Sequence, residues 1–257
     1  MPKGKTFFSR AKSWASKVGL FGPQAFFRYV VFTYVDCLAE ETDDFVCKGG
    51  NLLWLYIHTP RQTVDLDLVT LKADTTARVK ALLESGCRRG KEKGISFRLV
   101  SLKEVSQQGE KGASVTMEYK TEDGAANTFD LDVVYVLPTE WQTLPSPIES
   151  GVEIRGATLE HIIVDKIATC HRFGGGNTRM KDFDDLWRIS KSDQKIDWKK
   201  VKEGLAKNGL PPSLNKEWIN AETTAAWIRH IKKYKDLPDG FDKVVNAVNA
   251  WLKRELG

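Results

Sequence analysis

The stretch Val64-Asp65-Leu66-Asp67-Leu68 constrains the fold more than any other part of the chain. Apolar and acidic residues alternate with a period of two, which a β-strand satisfies and a helix does not. One face of the strand is apolar and needs burial. The other carries Asp65 and Asp67 side by side. Adjacent carboxylates repel unless a cation or a proton lies between them. The pattern recurs at Phe129-Asp130-Leu131-Asp132-Val133, where Asp130 and Asp132 share a face. If the second strand lies beside the first, one of these supplies a third carboxylate. Asp132 is preferred because more apolar chain follows it, with Asp130 as the alternative.

Upstream stands Lys48-Gly49-Gly50-Asn51, and Arg61-Gln62-Thr63 leads into the acidic strand. A glycine turn opening a helix exposes backbone N–H groups to a phosphate, and the helix adds its positive end. Lys48 and Asn51 add donors. Magnesium accepts carboxylate and phosphate oxygens together, so this combination points to a nucleotide and a hard divalent cation.

The remaining periodicities divide the chain. Residues 24–40, 52–57 and 75–85 read as helices, and residues 45–47 as a short strand or helix end. Residues 95–99, 114–119 and 129–137 read as strands, with a turn at Glu122-Asp123-Gly124. Pro138, Pro145 and Pro147 mark a connector. Beyond residue 156 no strand is expected. Residues 159–170, 180–189, 198–207, 223–234 and 241–256 carry helical patterns. The expected architecture is α+β, a mixed sheet with flanking helices followed by a helical module. The expected domains are a basic N-terminal extension (1–28), a catalytic head (29–150) and a helical C-terminal module (151–257).

Residues 1–28 hold Lys3, Lys5, Arg10, Lys12, Lys17 and Arg28 with no Asp or Glu, interleaved with Phe7, Phe8, Trp14 and Phe21. A helix packing its apolar side on the body explains this, and an RNA or membrane contact is the alternative. The formal net charge of +5 over 257 residues is compatible with a polyanionic partner. No run reaches the length of a transmembrane span, and Cys37, Cys47, Cys87 and Cys170 lack metal-site or disulfide spacing. A cytoplasmic protein with reduced thiols is the expectation. Trp187, Trp218, Trp227 and Trp251 read as core residues rather than a base-stacking surface.

The motif Gly49-Gly50 … Arg61-Gln62-Thr63-Val64-Asp65-Leu66-Asp67 resembles that of the nucleotidyltransferase AbiEii/AbiGii toxin family, a branch of the polymerase-beta-like nucleotidyltransferase superfamily. The resemblance continues through Glu160 to Lys166, Arg172 and Lys181-Asp182-Phe183-Asp184-Asp185-Leu186, covering roughly residues 45–190. Gly50 stands where the wider superfamily often has serine.

The resemblance implies metal-dependent transfer of a nucleoside monophosphate from a nucleoside triphosphate. Asp65, Asp67 and Asp132 would hold Mg²⁺, with Mn²⁺ as the alternative ion. Gly49, Gly50, Asn51, Arg61, Lys166, Arg172, Lys181 and Asp185 would serve the nucleotide. Lys166 and Asp182 join the three acidic residues as catalytic candidates. Asp182 is expected to face nucleotide or acceptor, and Asp185 to orient Lys166 or Arg172. The implied acceptor is an RNA, with the 3′ end of a transfer RNA foremost, or a protein hydroxyl. The implied setting is a toxin with a cognate antitoxin, or phage defence. The competing reading is a catalytically silent RNA- or protein-binding module of the same fold.

Overall fold

The computed structural model describes residues 5–61, 63–107, 110–176 and 178–257. Lys3 of the basic run, Gln62 of the acidic-strand motif and Asn177 of the glycine-rich connector at 173–179 lie outside the described residues. The chain divides into two compact units. One holds residues 1–55 and 62–157, the other residues 56–61 and 158–257.

The first unit is built on a mixed sheet. Its elements run α1 (Phe7–Lys17), α2 (Gly22–Glu41), β1 (Phe45–Lys48), α3 (Gly49–Ile57), β2 (Asp65–Thr70), α4 (Thr76–Arg89), β3 (Ile95–Gln107), β4 (Glu110–Thr121), β5 (Ala126–Val134), β6 (Trp141–Pro145) and β7 (Glu153–Ala157). The last two residues of α3 group with the second unit. Strand order is β3-β4-β5-β2-β1-β7-β6. The acidic strands are immediate neighbours, because β2 pairs in parallel with β5. Strand β1 lies antiparallel on the other side of β2.

The alternation fixes which face is buried. Leu66, Leu68, Val115, Met117, Leu131 and Val133 are all buried. Helix α2 covers this apolar face: Phe27 meets Phe129, and Tyr34 packs on Phe97 and Phe129 at ring-centroid distances of 4.9 and 5.8 Å. Twelve of the twenty residues of α2 are buried, so it is a core helix, apolar on most sides.

Helix α1 is part of this core. Phe7, Ala11 and Trp14 are buried, and the Trp14 indole donates to the Pro147 carbonyl at 2.6 Å. The Glu122-Asp123 turn accepts from the first N–H groups of α1, at Phe7 and Phe8. Two carboxylates at a helix N-terminus complement its dipole. The basic segment therefore packs its apolar side on the body.

Two strands stand where the sequence reads as a connector. Strand β7 pairs in parallel with β1 and antiparallel with β6. Pro145 ends β6, which is an edge strand, where a missing N–H is tolerated. Gly156 in β7 sits where an added Cβ would come within 2.7 Å of Leu52. These residues serve close packing and hide the strand signal.

The second unit contains α5 (Leu159–Phe173), α6 (Lys181–Lys191), α7 (Trp198–Lys207), α8 (Ala221–Ile231) and α9 (Phe241–Leu256). Trp218, Trp227 and Trp251 are buried, and Phe183 packs edge-on against Phe241. The tryptophans are thus mostly core residues. Among the described residues no helix is long and apolar enough to cross a membrane.

Asp36 on α2 is fully buried, and neither carboxylate oxygen has a hydrogen-bond partner among the described residues. Burial pushes its pKa up to about 6, against smaller lowering effects of nearby Ser150 and Ser146. An unfolded aspartate titrates near 3.9. The folded state therefore binds this proton more tightly, and stability falls as pH rises from about 4 to 6. Asp36→Asn is expected to remove this slope and to raise stability at pH 8 by up to about 3 kcal/mol. Urea unfolding of both proteins at several pH values checks this, and parallel pH profiles would contradict it.

Candidate active site

The acidic face of the first unit is set by strand register. Asp65 pairs with Asp130 and Asp67 with Asp132 across β2 and β5. Neighbouring strands lie about 4.8 Å apart and alternate residues share a face, so the four carboxylates form a two-by-two patch. Asp65 and Asp67 are half-buried, whereas Asp130 and Asp132 are both exposed. Depth therefore does not separate the last two. Hydrogen bonding does: the Thr116 hydroxyl donates to Asp130 Oδ1 at 3.1 Å, and Asp132 makes no side-chain hydrogen bond or ion pair among the described residues.

The glycine turn lies against this patch. Lys48 at the end of β1 pairs with Asp67, and Gly49 opens α3 with φ +70°. A Cβ built on Gly49 would fall 1.7 Å from Asp67 Oδ2. Only glycine meets both the left-handed backbone and the close approach. The first turn of α3 thus brings the N-terminal end of a helix, where anions are favoured, directly to the Asp67 carboxylate. Gly50 follows, buried.

Asn51 is buried, and its amide donates to the Asp65 carbonyl at 2.6 Å. It ties the start of α3 to the start of β2. Arg28 of α2 stands behind it, with Nε donating to Asn51 Oδ1 at 3.4 Å and the guanidinium 4.7 Å from the Trp54 ring centroid. Arg28 and Thr116 support the site, and sequence reading missed both in that role. Arg28 belongs to a run of basic residues and Thr116 to an ordinary strand, so only the tertiary fold distinguishes them.

The second unit carries a separate buried cluster. Arg61 binds Asp185 in bidentate fashion, Nε to Oδ1 at 2.6 Å and an η-nitrogen to Oδ2 at 3.1 Å. Lys166 of α5 reaches Asp185 Oδ2 at 2.7 Å and Asp182 Oδ1 at 2.9 Å. Asp182 and Asp185 lie three apart on α6 and share a face. Asp182 Oδ2 is buried without a hydrogen bond, with Arg179 Nε 3.9 Å away. Burial alone would lower the Lys166 pKa, but Asp185 and Asp182 outweigh it and hold the ammonium above its ordinary range. Burial alone would raise the Asp185 pKa, but Lys166 and Arg61 outweigh it and hold the carboxyl below its ordinary range.

Two cations and two anions leave this cluster with no formal net charge. Asp185 is thus ion-paired with Lys166 and Arg61, whereas Arg172 is exposed in the last turn of α5. Lys181, half-buried at the start of α6, lies outside these ion pairs. Asp184 faces elsewhere, accepting from Arg188 and lying 2.8 Å from His230 Nε2.

Removing one member of a buried ion cluster strands the others. Asp185→Ala is expected to destabilise the protein by about 3–5 kcal/mol at pH 7. Because the folded pKa of Asp185 is depressed, its contribution is present above about pH 4 and fades as pH falls through the folded value. Urea unfolding at pH 7 and pH 3 checks both points. A difference below about 1 kcal/mol at pH 7 would contradict the account.

Two solved Helicobacter pylori proteins have similar folds. JHP933 superposes with a TM-score of 0.54 at 17% identity, covering 88% of this chain and 89% of that one. A second chain, provisionally described as a nucleotidyltransferase, gives 0.56 at 18% identity, covering 92% and 96%. No curated protein matches the sequence. The family model for the nucleotidyl transferase AbiEii toxin of type IV toxin–antitoxin systems matches residues 35–247. That span contains the acidic strands, the glycine turn and the Arg61–Lys166–Asp182–Asp185 cluster, and the chain belongs to this family.

Proposed function

We propose that the protein transfers a nucleoside monophosphate from a nucleoside triphosphate to a hydroxyl acceptor. One observation carries the reading: Asp65 and Asp67 are in register with Asp130 and Asp132, and Gly49 opens a helix against Asp67.

The donor chemistry of the patch fits a hard divalent cation. It is all carboxylate, and the missing Cβ of Gly49 lets the Asp67 carboxylate lie against the start of α3. Among the described residues no three acidic, His or Cys side chains are gathered as a metal site. Asp65, Asp67 and Asp132 would hold Mg²⁺, or Mn²⁺ in its place. The ion, when bound, neutralises charge on phosphate oxygens.

The chain's own groups do the rest. The backbone N–H groups at Gly50 and the start of α3 bind phosphate oxygens. Asn51 holds the Asp65 backbone in place. The acceptor oxygen attacks the α-phosphorus, the bond to the bridging oxygen breaks, and pyrophosphate leaves. The acceptor proton passes to Asp132, the carboxylate of its pair that no hydroxyl engages. Arg61, Lys166 and Asp185 keep α5 and α6 in place, and Asp182, whose second oxygen is buried, would face nucleotide or acceptor only on the strength of the family resemblance. Arg172 and Lys181 remain for pyrophosphate charge.

An RNA acceptor, a transfer RNA 3′ end foremost, suits a chain of net charge +5. Several basic residues are already paired within the first unit, as in Arg89–Glu41, Lys93–Glu40 and Lys17–Glu149. That weakens the electrostatic case for RNA and keeps a protein hydroxyl as the other acceptor. We place this chemistry in the cytoplasm, in a toxin–antitoxin setting with an antitoxin as partner; the description of the matching family, a toxin of type IV toxin–antitoxin systems, supports the toxin part. A silent binding module is the second reading, favoured by the neutral, closed cluster around Lys166.

The test is a transfer assay with each α-³²P-labelled triphosphate, Mg²⁺, total RNA and protein extract. Wild type is expected to label RNA. Asp67→Asn is expected to lower the rate by at least roughly a hundredfold, the scale of losing a key electrostatic group. Label on protein would move the acceptor. No label with any donor would favour the silent module, and full activity of Asp67→Asn would refute the assignment.

A further inference from the structure

The three most exposed large apolar side chains among the described residues are Phe21 (82%), Val64 (71%) and Phe8 (54%). All three line one groove of about 810 Å³ in the first unit. Dispersed apolar side chains need no explanation, but three gathered in one concavity mark an interaction site. One side comes from Phe8, Ala11, Lys12 and Ala15 of α1, at positions i, i+3, i+4 and i+7. That is a single helix face, with Ala11 and Ala15 buried at the base of the groove and Phe8 and Lys12 exposed beside them.

Charge narrows the occupant. The groove is lined by no carboxylate; its exposed charge is Lys12, and its Arg28 is buried against Asn51 and Trp54. Lys12 is exposed and makes no ion pair among the described residues. No Asp or Glu occurs anywhere in residues 1–28. A second copy of this chain would set that basic segment against itself. A bilayer surface is flat and leaves a concavity unfilled. We propose that this groove docks an amphipathic helix of a partner protein, with acidic side chains flanking its apolar stripe.

The groove reaches the candidate active site through two of its walls. Val64 immediately precedes Asp65. Arg28 donates to Asn51, whose amide holds the Asp65 carbonyl. A helix seated here therefore bears on the start of the carboxylate strand. This regulatory consequence rests on the nucleotidyl-transfer reading, whereas the docking itself does not, and the test reads binding alone.

The probes are two synthetic peptides of about five helical turns with the same leucine stripe at helical spacing. One is flanked by glutamates and the other by lysines. Fluorescence anisotropy against the full chain is expected to show the glutamate peptide binding roughly tenfold tighter. Phe21→Asp, at a fully solvated position, is expected to weaken that binding at least roughly tenfold. Lys12→Glu is expected to reverse the preference between the peptides. Circular dichroism melting shows whether both variants stay folded. Equal binding of the two peptides, no binding by wild type, or binding that survives Phe21→Asp would overturn the proposal. So would Phe21-dependent sedimentation with anionic phosphatidylglycerol vesicles in place of peptide binding.

Discussion

The parallel, in-register pairing of β2 with β5 is the constraint on which the first unit depends. It solves two problems with one alternation. Leu66, Leu68, Leu131 and Val133 are buried on one face, and the four acidic residues are left on the other. A slip of one residue would bury the carboxylates and expose the leucines, so the hydrophobic core itself enforces the acidic patch. The core thus supplies the energy that holds like charges side by side.

The supports around that patch show how it is kept in place. Gly49 lets α3 begin against Asp67, and Asn51 ties that helix to the Asp65 backbone. Arg28 packs on Trp54, and Trp54 meets Trp14 of α1 at 5.8 Å between ring centroids. The N-terminal helix lies outside the residues matched by the family model. It is nonetheless packed into the same core, linked to the carboxylate strand through Trp54, Arg28 and Asn51 in turn. In the second unit the Arg61–Asp185–Lys166–Asp182 cluster is buried and charge-balanced, which suits it to fixing α5 and α6.

Much of this is legible in the sequence wherever a local period carries it. The alternation of residues 64–68 and 129–133 gives β2, β5 and their acidic face. The helical patterns after residue 156 give α5 to α9 within a few residues at their ends. Strands β3 and β4 run further than their local patterns indicate, because their pairing with each other extends them. Strands β6 and β7 are hidden because Pro145 and Gly156 meet needs of edge and packing that no local pattern reveals. Asn51 reads as a phosphate donor from its place after two glycines, yet the fold turns its amide to a backbone carbonyl. The Arg61–Asp185 pair spans 124 residues of sequence, and nothing local announces it. Periodicity encodes faces; it does not encode which distant polar groups meet.

We propose that the acidic patch holds a divalent cation. Mn²⁺ binding followed by electron paramagnetic resonance tests it without reference to any nucleotide or acceptor. The account predicts that wild type binds Mn²⁺ and that Asp67→Asn weakens binding by at least roughly tenfold while the protein stays folded. No binding by wild type, or the same affinity in Asp67→Asn, would contradict it.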